Sequence, residues 1–320
     1  GRPSSWKVAA VTTFVPGAEG IEMLAESVEA LMALDYPHDT WVLDEGDSED
    51  VRALCRRLGA HHFSRKGRPQ YQTERGPFQA RSKHGNYNAW LEETGFGRYD
   101  IVTGFDPDHV PDSDYLSQVL GYFEDPAVAY VQVAQAYCNQ HASFVARGAA
   151  EETYDYYSSM AMIAYGGGYA ILIGAHNTQR VSALKQVGGY PAHDAADLLL
   201  ALRYRNSFII PTGLALLAFM LASGTAPSVV SFATLPRFAV LMGAMQLCTL
   251  YRQRFYLDWR REWGGHWRAG VLRLAKWPYV LLALWDVMAG RQFGYAITRK
   301  VAPVSATRTL LGPHLLVAGV

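Results

Sequence analysis

Two aspartates separated by a single residue, Asp106 and Asp108, have the types and spacing to bind a metal ion. They follow residues 101–105, an apolar run with the composition of a buried strand. Two carboxylates at a strand end can chelate one divalent cation, or one can bind directly and the other through water. Mg²⁺ and Mn²⁺ prefer such hard oxygen ligands and bridge them to phosphate. The pattern therefore predicts a Mg²⁺ or Mn²⁺ site at Asp106 and Asp108, although an isolated Asp-x-Asp is more often a solvated turn.

A second acidic group, Asp-Glu-Gly-Asp at residues 44–47, also closes an apolar run. In one interpretation, Asp44 accepts hydrogen bonds from a nucleotide base or ribose. The alternative, which the spacing alone favours, is an acidic turn that caps a helix beginning near Ser48. Both interpretations stay open at the level of sequence.

Lys83 begins the stretch Lys-His-Gly-Asn-Tyr-Asn, which occupies residues 83–88 and opens a predicted helix. The glycine of this stretch allows a ligand to approach the backbone closely, and the Lys83 ammonium group can contact phosphate or a base. Taken alone, the same stretch is an ordinary helix start.

The elements that must position these residues alternate between strand and helix in the first half of the chain. This alternation predicts an α/β fold with a mostly parallel sheet covered by helices. Ligands bind at the carboxyl ends of the strands in such sheets, where Asp44 and Asp106 are both predicted to lie. Strands are predicted at residues 6–14, 40–43, 61–64, 100–105 and 128–133, and helices at residues 21–34, 48–58, 83–93 and 114–123.

The composition of the 320-residue chain excludes one class of partner. Half of the residues are hydrophobic and the formal net charge is zero at pH 7, so we do not expect nucleic acid to bind. Three widely spaced cysteines form no metal-ligand pattern and indicate reduced thiols in a protein that faces the cytosol. The polar first five residues carry no signal-peptide pattern, and we interpret them as a linker or as a cut within a longer protein.

The second half of the chain differs because residues 208–236 contain no charged side chain. A run of this length exceeds the roughly 20 residues that span a bilayer. We therefore divide the chain into a soluble domain at residues 1–205 and a membrane-associated helical region at residues 206–320. The alternative is a buried helical subdomain of a soluble protein. Apolar membrane segments are predicted at residues 208–230, 238–250 and 279–288, and an interfacial helix rich in Trp and Arg at residues 259–277.

The order of the motifs resembles that of the family 2 glycosyltransferases, in the branch that contains cellulose synthase and related membrane polysaccharide synthases. Each motif is common by itself, whereas the ordered set is specific and covers nearly the whole chain. The matching stretches are residues 11–16 with Glu19, then 44–46, 83–88, 106–108, 131–135, 174–177 and 188–190, followed by a tail at 267–300.

This resemblance implies a GT-A type, Rossmann-like fold and an inverting, metal-dependent transfer of a sugar from a nucleotide-sugar donor. The donor would be UDP-glucose or UDP-N-acetylglucosamine, and the acceptor a glycan or a lipid-linked sugar. By the same resemblance, the donor nucleotide would be bound by Thr13, Glu19, Asp44, Lys83 and Asp106, with Asp108 as the second carboxylate of the metal site. The acceptor would be bound by Gln132, Gln135, His176 and Asn177.

Asp197 takes the place of the family's general base, which ends a Thr-Glu-Asp-like motif; the matching stretch here is residues 193–197. Such a base must deprotonate the acceptor hydroxyl as it attacks the anomeric carbon. The alternative role is that of an acidic residue at the start of a predicted helix at 197–204, where a carboxylate is favourable anyway. Ala196 departs from the family, which commonly has an acid at that position.

A second departure is the absence of a Gln-x-x-Arg-Trp motif, which processive members carry shortly after the base. We therefore expect either a polysaccharide synthase that lacks a segment near residues 205–208 or a non-processive transferase acting on a lipid or small glycoside. A third alternative is a catalytically impaired membrane protein that binds nucleotide sugar. In each case the protein would be bound to the plasma or inner membrane lipid bilayer, with its catalytic domain in the cytoplasm.

Overall fold

The structure is a computed structural model, and it describes residues 6–168, 170–191 and 234–276, together with positions 216, 219–220, 222–224, 285 and 289. The chain forms two compact units. Unit 1 contains the described residues up to Val133 together with residues 171–191, and unit 2 contains residues 134–170 together with the described residues from 216 onward. The boundary predicted after residue 205 falls outside the described residues and stays a prediction.

Unit 1 is built on one six-stranded sheet with the order β3-β2-β1-β4-β6-β5. Strands β1 to β4 are mutually parallel, and β6 runs antiparallel to both of its neighbours, β4 and β5. The predicted α/β fold with a mostly parallel sheet is therefore confirmed. The strands are β1 (Val8–Phe14), β2 (His38–Asp44), β3 (His61–Phe63), β4 (Ile101–Phe105), β5 (Tyr130–Gln132) and β6 (Asn177–Arg180).

The longest helix of the described residues is Leu235–Gln253, in unit 2. Two of the helices continue into wider π turns, at Leu91–Gly95 and Tyr156–Met160, and 3-10 turns lie at Pro69–Tyr71 and Leu120–Glu124. The helices are α1 (Ile21–Met32), α2 (Glu49–Leu58), α3 (Lys83–Trp90), α4 (Phe96–Arg98), α5 (Tyr115–Val119), α6 (Phe144–Asp155), α7 (Ala161–Gly166), α8 (Val181–Gln186), α9 (Leu235–Gln253) and α10 (Trp267–Ala275).

Strand β1 lies at the centre of the core because all seven of its residues are buried. Its alternate side chains enter two different clusters, since successive residues of a strand face opposite sides of the sheet. Val11 packs in a cluster with Trp90 on α3, whereas Ala10 packs in a cluster with Leu31 on α1. Helices therefore cover both faces of the sheet, which is why its strands read as continuous apolar runs in the sequence.

Unit 2 is held together by the packing of α6 on α10. The buried carboxylate of Glu151 accepts hydrogen bonds from the backbone N–H of Arg268 at 3.0 Å and of Ala269 at 3.3 Å, so it caps the first turn of α10. At Gly148 a Cβ atom would lie 2.5 Å from the Leu272 side chain, so a larger residue there would displace this leucine.

The interfacial helix predicted at residues 259–277 is shorter in the structure. Residues 258–266 form turns, and α10 begins only at Trp267. Local hydrogen bonds compete with the helix there, because Glu262 accepts from the Asp258 backbone N–H at 3.0 Å. Gly264 also adopts a backbone φ of 156°, which a helix cannot accommodate.

The predicted membrane segment at residues 238–250 lies within α9. Among the residues that the structure describes, no helix is both long and apolar enough to cross a membrane. The segments predicted at 208–230 and 279–288 fall almost entirely outside the described residues.

Candidate functional site

The carboxyl ends of the central parallel strands bring several predicted site residues to one edge of the sheet. In the strand register Phe14 pairs with Asp44, and Thr12 pairs with Phe105, so β1, β2 and β4 end side by side. Thr13 lies one residue before the end of β1 and is almost buried, with 9% of its surface exposed. Asp106 follows the last residue of β4 directly. This edge is where ligands bind in open α/β sheets.

Asp106, Asp108 and His109 form a group whose potential ligand atoms all lie within 4.8 Å of one another. No other group of three such side chains occurs in the part of the chain that the structure describes. Two carboxylates and an imidazole form a donor set that suits Mn²⁺, and the two carboxylates alone suit Mg²⁺. The side chains of this group therefore fit a divalent cation of the kind that the sequence predicts.

His109 was not predicted as part of this group, although it follows Asp108 directly in the sequence. Its Nε2 lies 3.7 Å from Asp108 Oδ1, and its Nδ1 accepts a hydrogen bond from the Asp106 backbone N–H at 3.3 Å. The imidazole would have to give up one of these contacts to bind a cation. With its contacts as they are, His109 lies beside the Asp108 carboxylate and holds the backbone of Asp106.

Lys83 lies beside the same group, as the order of motifs in the sequence suggested. Its Nζ contacts Asp106 Oδ1 and donates a second hydrogen bond to the carbonyl of Gly174 at 2.8 Å. Helix α3 begins at Lys83 because the Ser82 hydroxyl accepts from the Gly85 backbone N–H at 3.1 Å. Lys83 and Asp106 are each about a third exposed (35% and 34%), so an anion entering from solvent can reach the ammonium group.

Asp44 differs from Asp106 and Asp108 because its carboxylate is fully buried and hydrogen-bonded within the protein. One oxygen accepts from the Gly46 N–H at 2.8 Å, and the other accepts from the Ser48 N–H at 2.6 Å. His62 Nε2 lies 3.3 Å from the second oxygen. The geometry thus matches the alternative interpretation, in which Asp44 shapes the turn that leads into α2.

The neighbouring loop between β1 and α1 packs tightly against this turn. A Cβ atom on Gly46 would lie 2.2 Å from the ring of Pro16, so only glycine fits there. Glu19, a predicted donor-binding residue, accepts a hydrogen bond from the Val15 backbone N–H at 2.9 Å. Its carboxylate thus stabilises the loop after β1.

Arg65 is a residue that the sequence analysis missed. Its guanidinium is fully buried and makes a two-pronged contact with Glu45, at 2.9 and 2.8 Å. It also donates to the carbonyls of Tyr71 and Gln79, each at 2.9 Å, and to that of Ser82 at 3.2 Å. Arg65 therefore fixes the segment between β3 and α3, and with it the start of the helix that presents Lys83. No local sequence pattern predicts this role, because the side-chain partners of Arg65 lie 6 to 20 residues away in the sequence.

Three of the four predicted acceptor residues lie together where β5 and β6 meet. Gln132 donates to the carbonyls of Ala175 and His176, at 3.0 and 3.1 Å, and its amide oxygen accepts from the Ile173 N–H at 2.7 Å. Asn177 pairs with Gln132 in the register and donates to the Ile173 carbonyl at 2.6 Å. These side chains hold the loop before β6. The fourth residue, Gln135, belongs to unit 2.

His176 sits at the end of that loop in a left-handed backbone conformation, with φ of 52°. Its ring stacks on His109 with 3.9 Å between ring centroids, and its Nδ1 is buried without a hydrogen-bond partner. Burial lowers the pKa of His176 to about 4, and the neighbouring His109 and Lys83 act in the same direction. A neutral imidazole therefore borders the Asp106 group at neutral pH.

Asn88 links helix α3 to the segment that follows α8. Its amide donates to the carbonyl of Tyr190 and accepts from the Tyr190 N–H, both at 2.8 Å. The Tyr190 hydroxyl accepts from Gln179 at 2.7 Å, and Gln179 also donates to Asn177. The predicted base, Asp197, is seven residues further along and lies outside the described residues, so its role stays a prediction.

The chain matches the model of a family described as "Glycosyltransferase like family 2" over residues 9–210. It belongs to this family. The mixed, mostly parallel sheet of unit 1 agrees with the GT-A type fold that the motif order implied.

Two curated relatives share parts of the sequence. A beta-monoglucosyldiacylglycerol synthase from Synechocystis sp. is 31% identical over 180 residues, which cover 55% of this chain and 36% of that protein. A UDP-forming cellulose synthase catalytic subunit from Pseudomonas fluorescens is 33% identical over 135 residues, which cover 41% of this chain and 16% of that protein. The chain thus spans about a third or less of the length of these relatives.

Solved structures resemble the chain more remotely. The mannosyltransferase PcManGT from Pyrobaculum calidifontis, in complex with GDP-Man and Mn²⁺, is 16% identical with a TM-score of 0.41, covering 98% of this chain and 87% of that one. Glucosyl-3-phosphoglycerate synthase from Mycobacterium tuberculosis, in complex with Mn²⁺, UDP-glucose and phosphoglyceric acid, is 14% identical with a TM-score of 0.36, covering 55% and 57%. These TM-scores are too low to support an inference from either protein.

Proposed function

We propose that the chain catalyses the inverting, metal-dependent transfer of a sugar from a nucleotide-sugar donor to a glycan or lipid-linked acceptor. The donor is UDP-glucose or UDP-N-acetylglucosamine. The observation that carries this proposal is the meeting of Asp106, Asp108 and Lys83 at the carboxyl edge of a parallel sheet. Binding of a diphosphate requires carboxylates that hold a cation and an ammonium group that contacts a phosphate oxygen.

At the donor end, Asp106 and Asp108 would hold a Mg²⁺ or Mn²⁺ ion, and such an ion would supply positive charge to offset that of the departing diphosphate. Lys83 exchanges its contact with Asp106 for a phosphate oxygen when the donor enters. The Ser82 cap and the buried Arg65 keep the start of α3, and hence Lys83, at the edge of the sheet. The neutral ring of His176 closes one side of the Asp106 group.

At the acceptor end, the acceptor hydroxyl attacks the anomeric carbon of the donor from the side opposite the diphosphate. Asp197 takes the hydroxyl proton as the new glycosidic bond forms and the bond to the diphosphate breaks. The configuration at the anomeric carbon is inverted because this is a single displacement. Gln132 and Asn177 shape the loop that borders the acceptor.

Donor turnover tests this proposal. Membranes that contain the full chain would be supplied with each UDP-sugar and Mn²⁺ or Mg²⁺, and both UDP release and sugar incorporation would be measured. We expect wild-type turnover, and its loss in Asp106→Asn and Asp197→Asn. UDP binding without any release would instead identify a nucleotide-sugar-binding protein. Equal turnover by Asp197→Asn would remove Asp197 as the base.

A lipid acceptor is the second candidate, and two observations favour it. The chain lacks a Gln-x-x-Arg-Trp motif, and one of its relatives is named as a synthase of beta-monoglucosyldiacylglycerol. Extraction of the labelled product into organic solvent, as a species with a single added sugar, would support the lipid acceptor. A labelled polymer that stays in the aqueous phase would support polysaccharide synthesis.

We further propose that unit 2 binds the cytoplasmic surface of a lipid bilayer. Three tryptophans near α10 are strongly exposed, with 71% for Trp259, 48% for Trp263 and 57% for Trp267. Tryptophan and arginine side chains are favoured at the boundary between headgroups and acyl chains. Flotation of the full chain with vesicles of anionic phospholipid tests this; a chain that stays at the bottom of the gradient would contradict it.

A further inference from the structure

Unit 2 contains a cavity of about 240 Å³ that none of the roles above uses. Its lining comes from α6, the π turn after it and α7, together with the chain after β5 and the turns after α9. The polar and aromatic side chains of the lining include Gln135, Tyr154, Tyr157, Ser158, Tyr256 and Glu262.

Tyrosine rings dominate the lining of this cavity. Tyr154 is buried, and its hydroxyl donates to Gln140, which lies outside the lining. Its ring also contacts Arg147 and His266, so Tyr154 offers a ligand only the part of the ring that lines the cavity. Tyr256 is half exposed (49%) and also lines the cavity. Aromatic faces attract C–H groups and flat apolar surfaces. The cavity thus suits a small ligand with at least one apolar face.

Polar side chains are set between these rings. The Tyr157 hydroxyl donates to the amide oxygen of Gln135 at 3.0 Å, and the Ser158 hydroxyl donates to the Tyr154 carbonyl at 2.6 Å. Glu262 places a carboxylate at the same cavity. The Tyr157 and Ser158 hydroxyls keep these partners whatever enters the cavity. An acyl chain would, however, remove water from the Glu262 carboxylate without replacing its hydrogen bonds, which is unfavourable for a charged group. A hydrocarbon ligand is therefore disfavoured.

The charge of the lining excludes a second class of ligand. Its residues include no lysine, arginine or histidine, and Glu262 is the single charged side chain among them. Phosphates and diphosphates are bound by basic side chains or by helix N-termini, so a nucleotide is not the occupant. A neutral ligand whose hydroxyls can donate to Glu262 is favoured.

We infer that this cavity binds one uncharged sugar ring of the acceptor, an inference that rests on the proposed glycosyl transfer. The C–H face of a pyranose packs on Tyr154 and Tyr256, and its hydroxyls exchange hydrogen bonds with Tyr157, Gln135 and Glu262. The family resemblance implied that Gln135 lies near the acceptor, and in this cavity it would contact the acceptor directly. The cavity is an acceptor subsite, whereas the Asp106 group serves the donor.

Two exposed methionines provide a matched test of this subsite. Met162 lines the cavity and is 51% exposed, whereas Met160 is 45% exposed and does not line it. We expect Met162→Trp in the full chain to reduce sugar incorporation by about tenfold, because the indole occupies the space of the sugar ring. UDP release without acceptor should stay within about twofold of wild type, since the Asp106 group is untouched. Met160→Trp should behave as wild type in both assays.

Tyr157→Phe is the second variant, because it keeps the ring and removes only the hydroxyl. We expect the apparent KM for the acceptor in the membrane extract to rise about threefold to tenfold, with an unchanged KM for the UDP-sugar. Incorporation at the wild-type level by both Met162→Trp and Tyr157→Phe would overturn the subsite. Absence of any UDP release from the wild-type chain would instead overturn the proposed transfer itself, so the two failures are distinguishable.

Discussion

The ends of β2 and β4 carry acidic groups that look alike in the sequence and differ in the structure. Asp44, at the end of β2, is fully buried and accepts two backbone hydrogen bonds from the turn that follows it. Asp106 and Asp108, after β4, keep 34% and 40% of their side-chain surface exposed and lie within reach of one cation. Asp44 is therefore engaged by its own turn, whereas Asp106 and Asp108 are open to a cation from solvent. The predicted contact of Asp44 with the donor nucleotide stays a prediction.

The residues next to these acids also differ in burial and in how firmly they are bonded within the protein. Glu45 is bound to the buried guanidinium of Arg65, so both acids at the end of β2 are engaged within the protein. The partner of Asp106 is Lys83, which is a third exposed and can change partners. We call these two places the β2 corner (residues 44–48, with Arg65) and the β4 corner (residues 106–109, with Lys83). The β2 corner positions the β4 corner, because Arg65 also holds the carbonyl of Ser82.

The largest expected contrast is between Asp106→Asn and Asp44→Asn. Asp106→Asn should reduce sugar transfer by at least about 100-fold and leave stability nearly unchanged, because it removes a cation ligand and the partner of Lys83. Asp44→Asn should instead lower the free energy of unfolding by about 1–3 kcal/mol, because the Gly46 or Ser48 N–H loses its acceptor. Transfer assays and urea denaturation measure the two effects. Similar profiles for the two variants would remove the distinction between the corners.

Arg65→Met should cost about 3–5 kcal/mol of stability, because it leaves the Glu45 carboxylate and several carbonyls without a buried partner. Urea denaturation of Arg65→Met, Glu45→Met and the double variant measures the coupling between them. We expect the double variant to be clearly more stable than the sum of the single changes predicts. Strict additivity would show that the pair does not act as a unit.

Lys83→Met should weaken the binding of UDP with Mn²⁺ by about tenfold, since one charge-assisted contact to phosphate is lost. Lys66 provides the matched control at the β2 corner, where its Nζ donates to the Gly46 carbonyl at 2.8 Å. Calorimetric titration should show that Lys66→Met binds UDP with a Kd within about twofold of wild type. Equal weakening by both changes would mean that UDP is attracted by general positive charge.

The smallest expected effect is on the pKa of the Cys55 thiol, which lies on α2 and is influenced by Asp44 of the β2 corner. Burial raises the pKa of this thiol to about 11, and the negative charge of Asp44 adds to this. The pKa should therefore fall in Asp44→Asn, and the thiolate fraction at pH 8 should rise by a few-fold. Iodoacetamide labelling followed by mass spectrometry measures the rate at Cys55, with the exposed Cys138 and Cys248 as internal references. An unchanged rate at Cys55 would show that Asp44 exerts no field on the thiol.

Much of the sheet could be predicted because its central strands are apolar on both faces. The predicted strands at 6–14 and 100–105 contain β1 and β4. Strand β6 was not predicted, because its sequence Asn-Thr-Gln-Arg is polar. Its burial depends on distant partners, as in the 3.0 Å hydrogen bond between the hydroxyls of Thr178 and Thr103. A local pattern cannot reveal such a strand.

Some residues of the candidate site could likewise be predicted from the sequence, and others could not. Asp106 and Asp108 could be found because their spacing is local, and Lys83 because its motif keeps a fixed order relative to theirs. Arg65 could not, since its role comes from contacts with Glu45 and with carbonyls 6 to 17 residues away. The burial of Asp44 likewise follows from the fold, and the sequence alone left both of its interpretations open.

The most direct test of the β4 corner is Mn²⁺ binding to the full chain, followed by electron paramagnetic resonance in the presence of UDP. We predict that the wild-type chain and Asp44→Asn each remove about one equivalent of Mn²⁺ from the free-ion signal, because the ligands of the β4 corner are intact in both. Asp106→Asn should leave most of the ion free. Mn²⁺ binding by Asp106→Asn equal to wild type, or its loss in a folded Asp44→Asn, would contradict a cation site at the β4 corner.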